Sequence, residues 1–425
     1  MCSRLSAQMR ERRLRFGDRV ICPFLRPFFL DAADEARVRG VAEMLWTLGE
    51  RVALAGARPS PQMLADLALQ RCRDPSWRGS IRATRRPARR RAPMPSSCPD
   101  SLQFAEHNAE SPAGAGYSQA AGGAVRRRAG DGARSASGST RASRARSKRC
   151  STRCVASYRE WGGTASPPRM AIVDWREVPT YSEFEILRDA FTARGVPTMI
   201  CDPRDLEFAA GSAILAPAPA RGLYAKGERI DLVYRRVLIN DIVARPSRVP
   251  RACSSAYRSG TVCVANSLRC KIPHKKAFFA VLTDQRYETL FSADERAMIR
   301  RHVPWTALVE ERRASAWTGG SVDLMPHLRA QRDQFVIKPN DEMRRHRRHA
   351  RMGDQRRRLG YGDRARHRRA RCADGWLSAG FAVRREMFPI CDTSVAGASE
   401  NPVAMRDMLV DFAPYIFRGR LAGVS

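Results

Sequence analysis

The sequence predicts a mixed α/β protein organised around a parallel sheet. Three observations carry this reading. A strand–helix–strand run starts at Met170, a long amphipathic helix pattern covers Asp31 to Gly56, and short apolar strands alternate with helical stretches between Ile230 and Ile337. No internal repeat and no heptad run competes with it.

The elements follow in chain order. Between Asp31 and Gly56, Val38, Val41, Met44, Leu45, Leu48 and Val52 recur at spacings of three and four, which places them on one helix face. Asp31 caps the start of this helix and Gly56 its end. Leu102 to Asn108 reads as a strand. Ala171 to Trp175 is a short apolar strand, Ser182 caps a helix carrying Phe184, Leu187 and Phe191, Gly195 ends it, and Val196 to Cys201 returns as a strand. A βαβ unit of about 30 residues implies parallel pairing. Ile230 to Tyr234 and Gln334 to Ile337 are further strands, with helices predicted at Lys275 to Leu282 and Ala293 to Arg301.

Three segments depart from this pattern. Arg78 to Arg91 holds seven Arg and no acid, Ala124 to Cys154 nine Arg, one Lys and one Asp, and Met343 to Arg371 thirteen Arg and two Asp. Together they carry +27 of the net charge of +33, so the remaining 351 of 425 residues carry only +6. Their Arg, Ala, Gly and Ser offer little to a core. A basic tail that binds nucleic acid by counterion release is one explanation, and a pI near 11.0 agrees with it. Nucleic-acid binders interleave aromatics or space Arg along a helix face, however. Tyr361 is the only aromatic in the three blocks, and Arg344-Arg345-His346-Arg347-Arg348 has no period. Shifted codons of a GC-rich gene fall on Arg, Ala, Gly and Pro, so the composition points to frame-shifted segments, with polyanion binding as the alternative.

At about 150 residues per domain, 425 residues make two or three domains. The 12 Cys form no CxxC pair, and singles such as Cys22, Cys201, Cys263 and Cys270 read as small buried hydrophobes in a reducing cytosol. Met1 to Arg15 is too charged for a signal peptide. The apolar run Val20 to Leu30 contains Arg26 and two prolines and falls short of the roughly 20 residues that span a bilayer. A cytoplasmic protein without membrane contact is expected.

Four short segments carry chemistry. In Phe104-Ala105-Glu106-His107-Asn108-Ala109-Glu110-Ser111-Pro112-Ala113-Gly114, strand alternation puts Glu106 and Asn108 on one face. A carboxylate beside an amide oxygen suits a hard cation such as Mg²⁺, and the turn that follows brings backbone N–H groups near it; an exposed strand end before a turn is the alternative. Asp231-Leu232-Val233-Tyr234-Arg235-Arg236 ends a strand in paired Arg, with Asn240-Asp241 beyond it. The pair either delivers a guanidinium fork to a carboxylate or phosphate or is simply solvated. His274-Lys275-Lys276 begins a helix with ammonium groups that oppose its dipole and require an anion. Phe335-Val336-Ile337-Lys338-Pro339-Asn340 ends an apolar strand in a Lys fixed by Pro, either a nucleotide-phosphate ligand or a snorkelling surface Lys.

In this order, Glu-x-Asn-Ala-x-Ser-Pro, Tyr-Arg-Arg, Lys-Lys-Ala and Val-Ile-Lys-Pro resemble the circularly permuted ATP-grasp proteins, the group that includes glutathionylspermidine synthase. The resemblance covers most of Arg12 to Glu342 outside the first two Arg blocks and resumes from about Val383 to Gly423. It implies an ATP-grasp-like α/β fold with a βαβ (pre-ATP-grasp, Rossmann-like) domain, and an ATP- and Mg-dependent carboxylate–amine ligase that works through an acyl phosphate. Its partners would be ATP and small-molecule or peptide carboxylate and amine substrates. By the same resemblance Glu106 and Asn108 stand as Mg²⁺ ligands, Lys276 and Lys338 as nucleotide contacts, and Arg235 as an Arg of the central site.

The resemblance also fixes what is changed. The family places a third metal carboxylate about a dozen residues before Glu-x-Asn, where this chain has Arg91-Ala92-Pro93-Met94. A Gly-rich loop belongs after Lys-Pro, where Asn340-Asp341-Glu342 runs into Met343-Arg344-Arg345. The implied organisation is 1–77 an N-terminal helical part of the ATP-grasp lobe, 95–123 the metal-site strand and turn, 155–229 the βαβ domain, 230–342 the nucleotide-binding part and 372–425 a truncated remainder of that lobe. The Arg-rich segments 78–94, 124–154 and 343–371 separate them. An incomplete fold with an impaired site is expected.

Overall fold

The computed structural model describes residues 2–21, 24–26, 28, 30–55, 90–98, 101–121, 146–211, 220–244, 248–315, 320–340, 375–379, 385–391 and 403–424. A four-stranded sheet forms its centre, in the order Cys263–Ala265, Leu232–Arg235, Met170–Val173, Thr198–Cys201, and every neighbouring pair is parallel. Met170–Val173 and Leu232–Arg235 are buried along their whole length, as continuous apolar strands covered on both faces must be. Alternation divides their side chains between two cores. Met170, Ile172, Leu232 and Tyr234 meet Phe184, Leu187 and Phe191 of the helix Tyr181–Thr192. Ala171, Val173 and Val233 meet Leu206, Leu223, Ile230 and Ile242 on the other face.

The βαβ unit lies where the hydrophobic pattern puts it, with two local corrections. The first strand stops at Val173, and the Asp174 carboxylate accepts from the Trp175 N–H at 2.9 Å, which turns the chain there. Ser182 is not the cap of the helix: it lies inside it, and its hydroxyl donates to the Arg15 carbonyl at 2.8 Å and shares a hydrogen bond with Tyr117 at 2.9 Å. Thr180 holds the N-cap position without a side-chain bond. Gly195, at φ +77°, ends the helix in the left-handed conformation that glycine tolerates.

A second sheet runs in the order Arg420–Val424, Pro414–Phe417, Arg90–Cys98, Ser101–Asn108. The helix Ala32–Ala55 lies on it, with Val38, Val41, Leu45, Leu48 and Val52 packed against Leu102, Phe104, Ile416 and Leu421. Asp31 accepts from the Asp34 N–H at 2.7 Å and caps this helix; Gly56 lies outside the described residues. The helix Ala293–His302 matches its pattern and starts in a Ser292–Glu295 capping box. The helix expected from Lys275 begins at Ala277. A third sheet, Thr306–Leu308, Gly375–Ala379 and Phe335–Pro339, is antiparallel throughout.

The Arg-rich blocks divide on inspection. Residues 78–89, 124–145 and 343–371 lie outside the described residues. The end of the second block is folded: the helix Arg146–Trp161 buries Cys150, Ser151 and Cys154 beside Met170 and Phe184, and Arg149 donates to the carbonyls of Leu421 and Ala422. Packed structure therefore begins well before Cys154. Arg90 and Arg91 of the first block pair with Phe417 and Ile416 in the second sheet.

Cys201, Cys263 and Cys270 are buried, as expected, and Cys22 lies outside the described residues. Cys2 and Cys391 instead form a disulfide, with Cα atoms 5.5 Å apart, that fastens the helix Cys2–Glu11 to the strand Arg385–Cys391. No helix among the described residues is long and apolar enough to cross a membrane.

Close approach fixes the glycine at position 114. Gly114 adopts φ +97°, and a Cβ there would stand 2.3 Å from the Tyr415 hydroxyl, which donates to the Ala113 carbonyl at 3.0 Å. Gly114→Ala therefore lowers unfolding free energy by about 1–3 kcal/mol in a urea titration, and adding Tyr415→Phe recovers part of the loss by removing the clashing oxygen.

Candidate functional site

Glu106 and Asn108 share a face, and the reason lies in the strand itself. Ser101–Asn108 pairs with Arg90–Cys98, and the register slips at Ala105: Met94 pairs with Glu106 while Pro95 pairs with Phe104. The slip reverses the alternation. Leu102 and Phe104 join the core under the helix Ala32–Ala55, and His107 is also buried, 5.6 Å from the Phe278 ring. Glu106 and Asn108 are half-buried on the other side, and the Asn108 amide donates to Glu106 Oε1 at 3.0 Å. The register partners of Glu106 and Asn108 are Met94 and Ala92, so no acid stands opposite either.

Two residues further on is the carboxylate that organises the region. Glu110 is fully buried. Its Oε2 meets Lys271 Nζ at 2.8 Å and His274 Nε2 at 3.6 Å, and its Oε1 meets an Arg235 guanidinium nitrogen at 3.3 Å and accepts from the Ile239 N–H at 2.5 Å. Burial alone would raise its pKa. The charges of Lys271, His274 and Arg235 outweigh that and hold it at about 2. Asn266 closes the ring of contacts, donating to the Ala109 carbonyl at 2.7 Å and the Glu110 carbonyl at 3.3 Å.

The paired arginines are not solvated. Arg235 is 1% exposed and Arg236 2% exposed. Besides Glu110, Arg235 donates to the Val237 carbonyl at 2.6 Å, the Asn266 carbonyl at 3.3 Å and Cys270 Sγ at 3.0 Å. Arg236 donates to the Pro112 carbonyl at 2.6 Å and pairs with the buried Glu183 at 3.2 Å. The other oxygen of Glu183 accepts from the N–H groups of Gly114 and Gly116, at 2.7 and 3.1 Å. Those turn amides are thus committed to Glu183, and the sequence-based expectation that they serve the Glu106–Asn108 face is corrected.

The two lysines of the nucleotide reading come from segments that touch. Lys276 donates its backbone N–H to the Asn340 carbonyl at 3.1 Å, and the Asn340 side-chain oxygen accepts from the Ala277 N–H at 3.0 Å. Asn340 directly follows the strand Phe335–Pro339, in which Lys338 pairs with Trp376. Lys276 is half-buried, whereas Lys275 is buried and His274 turns toward Glu110. Glu110 pairs with Lys271 and faces the His274 ring; it is not paired with the two ammonium groups, Lys275 and Lys276, for which the sequence pattern requires an anion. The structure brings together the Glu106–Asn108 strand end, Arg235 and the 271–276 segment around Glu110, and joins the last of these to the strand of Lys338 through Asn340.

Asp174, Asp202, Arg236 and Asn266 each directly follow one of the four parallel strands. The strand order reverses between Met170–Val173 and Leu232–Arg235, the place where open α/β sheets leave a crevice. A cavity of about 570 Å³ opens at this end, lined by Asp174, Arg176, Tyr181, Arg204, Glu207 and Lys226 among others. Burial pushes Asp174 up to about 6 against the pull of Arg236. Buried Asp202 is gripped by Arg204 at 2.7 Å and held below the usual carboxylate range despite its burial.

Among the described residues no three His, Cys, Asp or Glu gather as a metal site. The donors at Glu106 and Asn108 fit Mg²⁺ only as an edge of oxygen ligands, which suits an ion that takes its remaining ligands from water and phosphate. Neither a family model nor a curated protein matches this chain. Among solved structures it is similar to a glutathione synthetase-like effector from Globodera pallida in its apo form. The match has a TM-score of 0.61 and 11% identity, and covers 100% of this chain and 93% of that one. The chain has a glutathione synthetase-like α/β fold.

Glu110, Glu183, Lys271, Asn266 and Asn340 were missed as site residues. Two left a trace: Glu110 fills the open position of Glu-x-Asn-Ala-x-Ser-Pro, and Asn340 follows Lys-Pro. Glu110→Gln removes the buried carboxylate that pairs with Arg235 and Lys271 and costs about 3–5 kcal/mol at pH 7, measured by denaturant unfolding. A carboxyl whose folded pKa is about 2, below the ordinary 4.5, stabilises fully above pH 4.5 and loses that contribution as pH falls toward 2. The wild type minus Glu110→Gln difference shrinks across that window. Asp174 has the opposite sign: raised to about 6 from 3.8, its ionised form costs stability above pH 6. Asp174→Asn therefore raises Tm at pH 8, by an amount that vanishes near pH 4; an equal gain at both pH values would contradict this.

Proposed function

We propose that this chain descends from ATP-dependent carboxylate–amine ligases of the circularly permuted ATP-grasp type and retains their scaffold with an impaired site. The supporting observation is the buried cluster at Glu110, which fastens the Glu106–Asn108 strand end to Arg235 and to the segment bearing Lys276. Bound Mg·ATP would supply the phosphoryl group that converts a carboxylate into an acyl phosphate, which an amine then attacks to release phosphate and leave an amide.

In this reading Glu106 and Asn108 hold the Mg²⁺ edge, and Lys276 and Lys338 hold nucleotide phosphates. Groups of this kind act by neutralising charge on the transferring phosphoryl. Arg235 is a positioning residue: its guanidinium is spent on Glu110, Asn266, Val237 and Cys270 and fixes the strand end that carries the metal pair. The cavity beyond the parallel strands, with Asp174 and Lys226 in its wall, is the place for a small-molecule or peptide substrate. The impairment follows from Met94 and Ala92 opposite the metal pair and from the Arg-rich run that succeeds Asp341-Glu342. Polyanion binding by the Arg blocks concerns segments outside the described residues, apart from Arg90–Arg91 and 146–154.

Isothermal titration of Mg·ATP tests this. The chain binds with a dissociation constant on the order of 1 mM or weaker. Met94→Asp places an acid at the register partner of Glu106 and tightens binding about tenfold or more, and Glu106→Gln removes that gain. Micromolar binding by the unaltered chain refutes the impairment. A Met94→Asp protein that binds no better refutes the assignment of the metal strand.

A further inference from the structure

A second cavity, of about 320 Å³, lies at the opposite end of the Glu106–Asn108 strand, between the helices Ala32–Ala55 and Ala293–His302. Arg37 and Gly40 line it from the first helix, Leu102 from the strand, and Met298, Arg301 and His302 from the second helix. The size is near the lower end of small-molecule pockets, and the floor is apolar with few polar groups, the usual composition of such a site.

Gly40 is the informative residue. It sits in the interior of a 24-residue helix, where glycine costs about 1 kcal/mol relative to alanine. No atom lies within 4 Å of the place where its Cβ would be, so neither a close approach nor a positive φ calls for glycine there. Any larger side chain would project into open space. The glycine keeps that space open.

The electrostatics are one-sided. His302 Nδ1 lies 2.8 Å from the Leu102 carbonyl, so this nitrogen carries the proton and donates. Burial, with the nearby charges of Arg301 and Arg37, lowers the His302 pKa. Arg37 pairs with Asp34 at 3.1 Å on the exposed side, while Arg301 has no ion-pair partner among the described residues. A rim with two guanidiniums over an apolar floor is complementary to a small anion with a flat or short apolar body.

We propose that this cleft binds a small hydrophobic monocarboxylate, received by Arg301 and Arg37 with its apolar part over Gly40, Leu102 and Met298. The site is separate from the ligase reading above and does not rest on it. The probe is 4-fluorobenzoate, followed by ¹⁹F NMR line broadening on the full chain, with 4-fluorobenzyl alcohol as the neutral counterpart. Saturable binding of the benzoate is expected, and the alcohol should bind at least tenfold more weakly. Arg301→Gln should weaken the benzoate at least tenfold. Gly40→Phe should abolish binding while circular dichroism shows an intact fold, and Gly40→Ala, which adds one methyl and favours the helix, should raise Tm. Glu106→Gln should leave the affinity unchanged, which separates this cleft from any carboxylate subsite near the metal strand. Absence of saturation, equal binding of the alcohol, or unaltered binding by a folded Gly40→Phe protein would each overturn the proposal.

Discussion

The buried carboxylate of Glu110 is the constraint on which the rest of the site depends. A lone carboxylate in that position would be driven to its neutral form, because burial penalises the charge. Lys271, Arg235, the His274 ring and one backbone N–H converge on its two oxygens, and the balance falls on the ionised side. Such a cluster contributes little net stability when compared with a well-packed apolar core, since desolvation consumes most of the Coulombic gain. What it does provide is geometry. Glu110 itself follows a strand of the second sheet, Arg235 ends a strand of the parallel sheet, and Lys271 lies on a helical turn 161 residues further along the chain.

Arg235 and Arg236 extend that constraint in two directions. Adjacent residues on a strand point to opposite faces, so a single dipeptide serves two buried acids, Glu110 on one side and Glu183 on the other. Glu183 in turn holds the Gly114 and Gly116 amides, and Arg236 holds the Pro112 carbonyl, so the whole turn from Glu110 to Gly116 is gripped at both ends. A lysine in place of either arginine would supply one compact charge where a planar fork spans several acceptors. The parallel sheet and the second sheet are locked together through this turn, and the Glu106–Asn108 pair rides on the edge of the lock.

Much of the scaffold was legible because burial leaves a period in the sequence. Met170 to Cys201 and Asp31 to Ala55 were readable since their apolar residues recur at two and at three to four, and the structure places these elements within a few residues of the expected bounds. The site was less legible, for physical reasons. Glu110 and Glu183 are acids that a local pattern assigns to the surface, and only their distant partners make them buried. The register slip at Ala105, which sends His107 inward and keeps Glu106 and Asn108 together, depends on pairing with Arg90–Cys98 and leaves no local mark. Ser182 reads as a cap because serine favours that position, yet its hydroxyl is committed to the Arg15 carbonyl and Tyr117.

The Arg-rich blocks touch the fold at Arg90–Arg91 and in the helix Arg146–Trp161. Glu110, Glu183, Arg235, Arg236, Asn266, Lys271 and Asn340 all lie outside them, so this network of buried charges is built from the ordinary part of the sequence. The blocks instead border the positions where charge chemistry would be needed. The first runs into the strand that pairs with Glu106 and Asn108, and the third begins two residues after Asp341. A backbone ladder depends on donors and acceptors and not on side-chain identity, so Arg90 and Arg91 pair with Phe417 and Ile416 as any residues could. A metal edge and a phosphate cover have no such tolerance, because they need particular oxygens and particular backbone freedom at single positions. Under the proposed ligase reading, the chain would keep the architecture that its buried ion pairs hold and would lose function first where a site depends on the identity of one side chain.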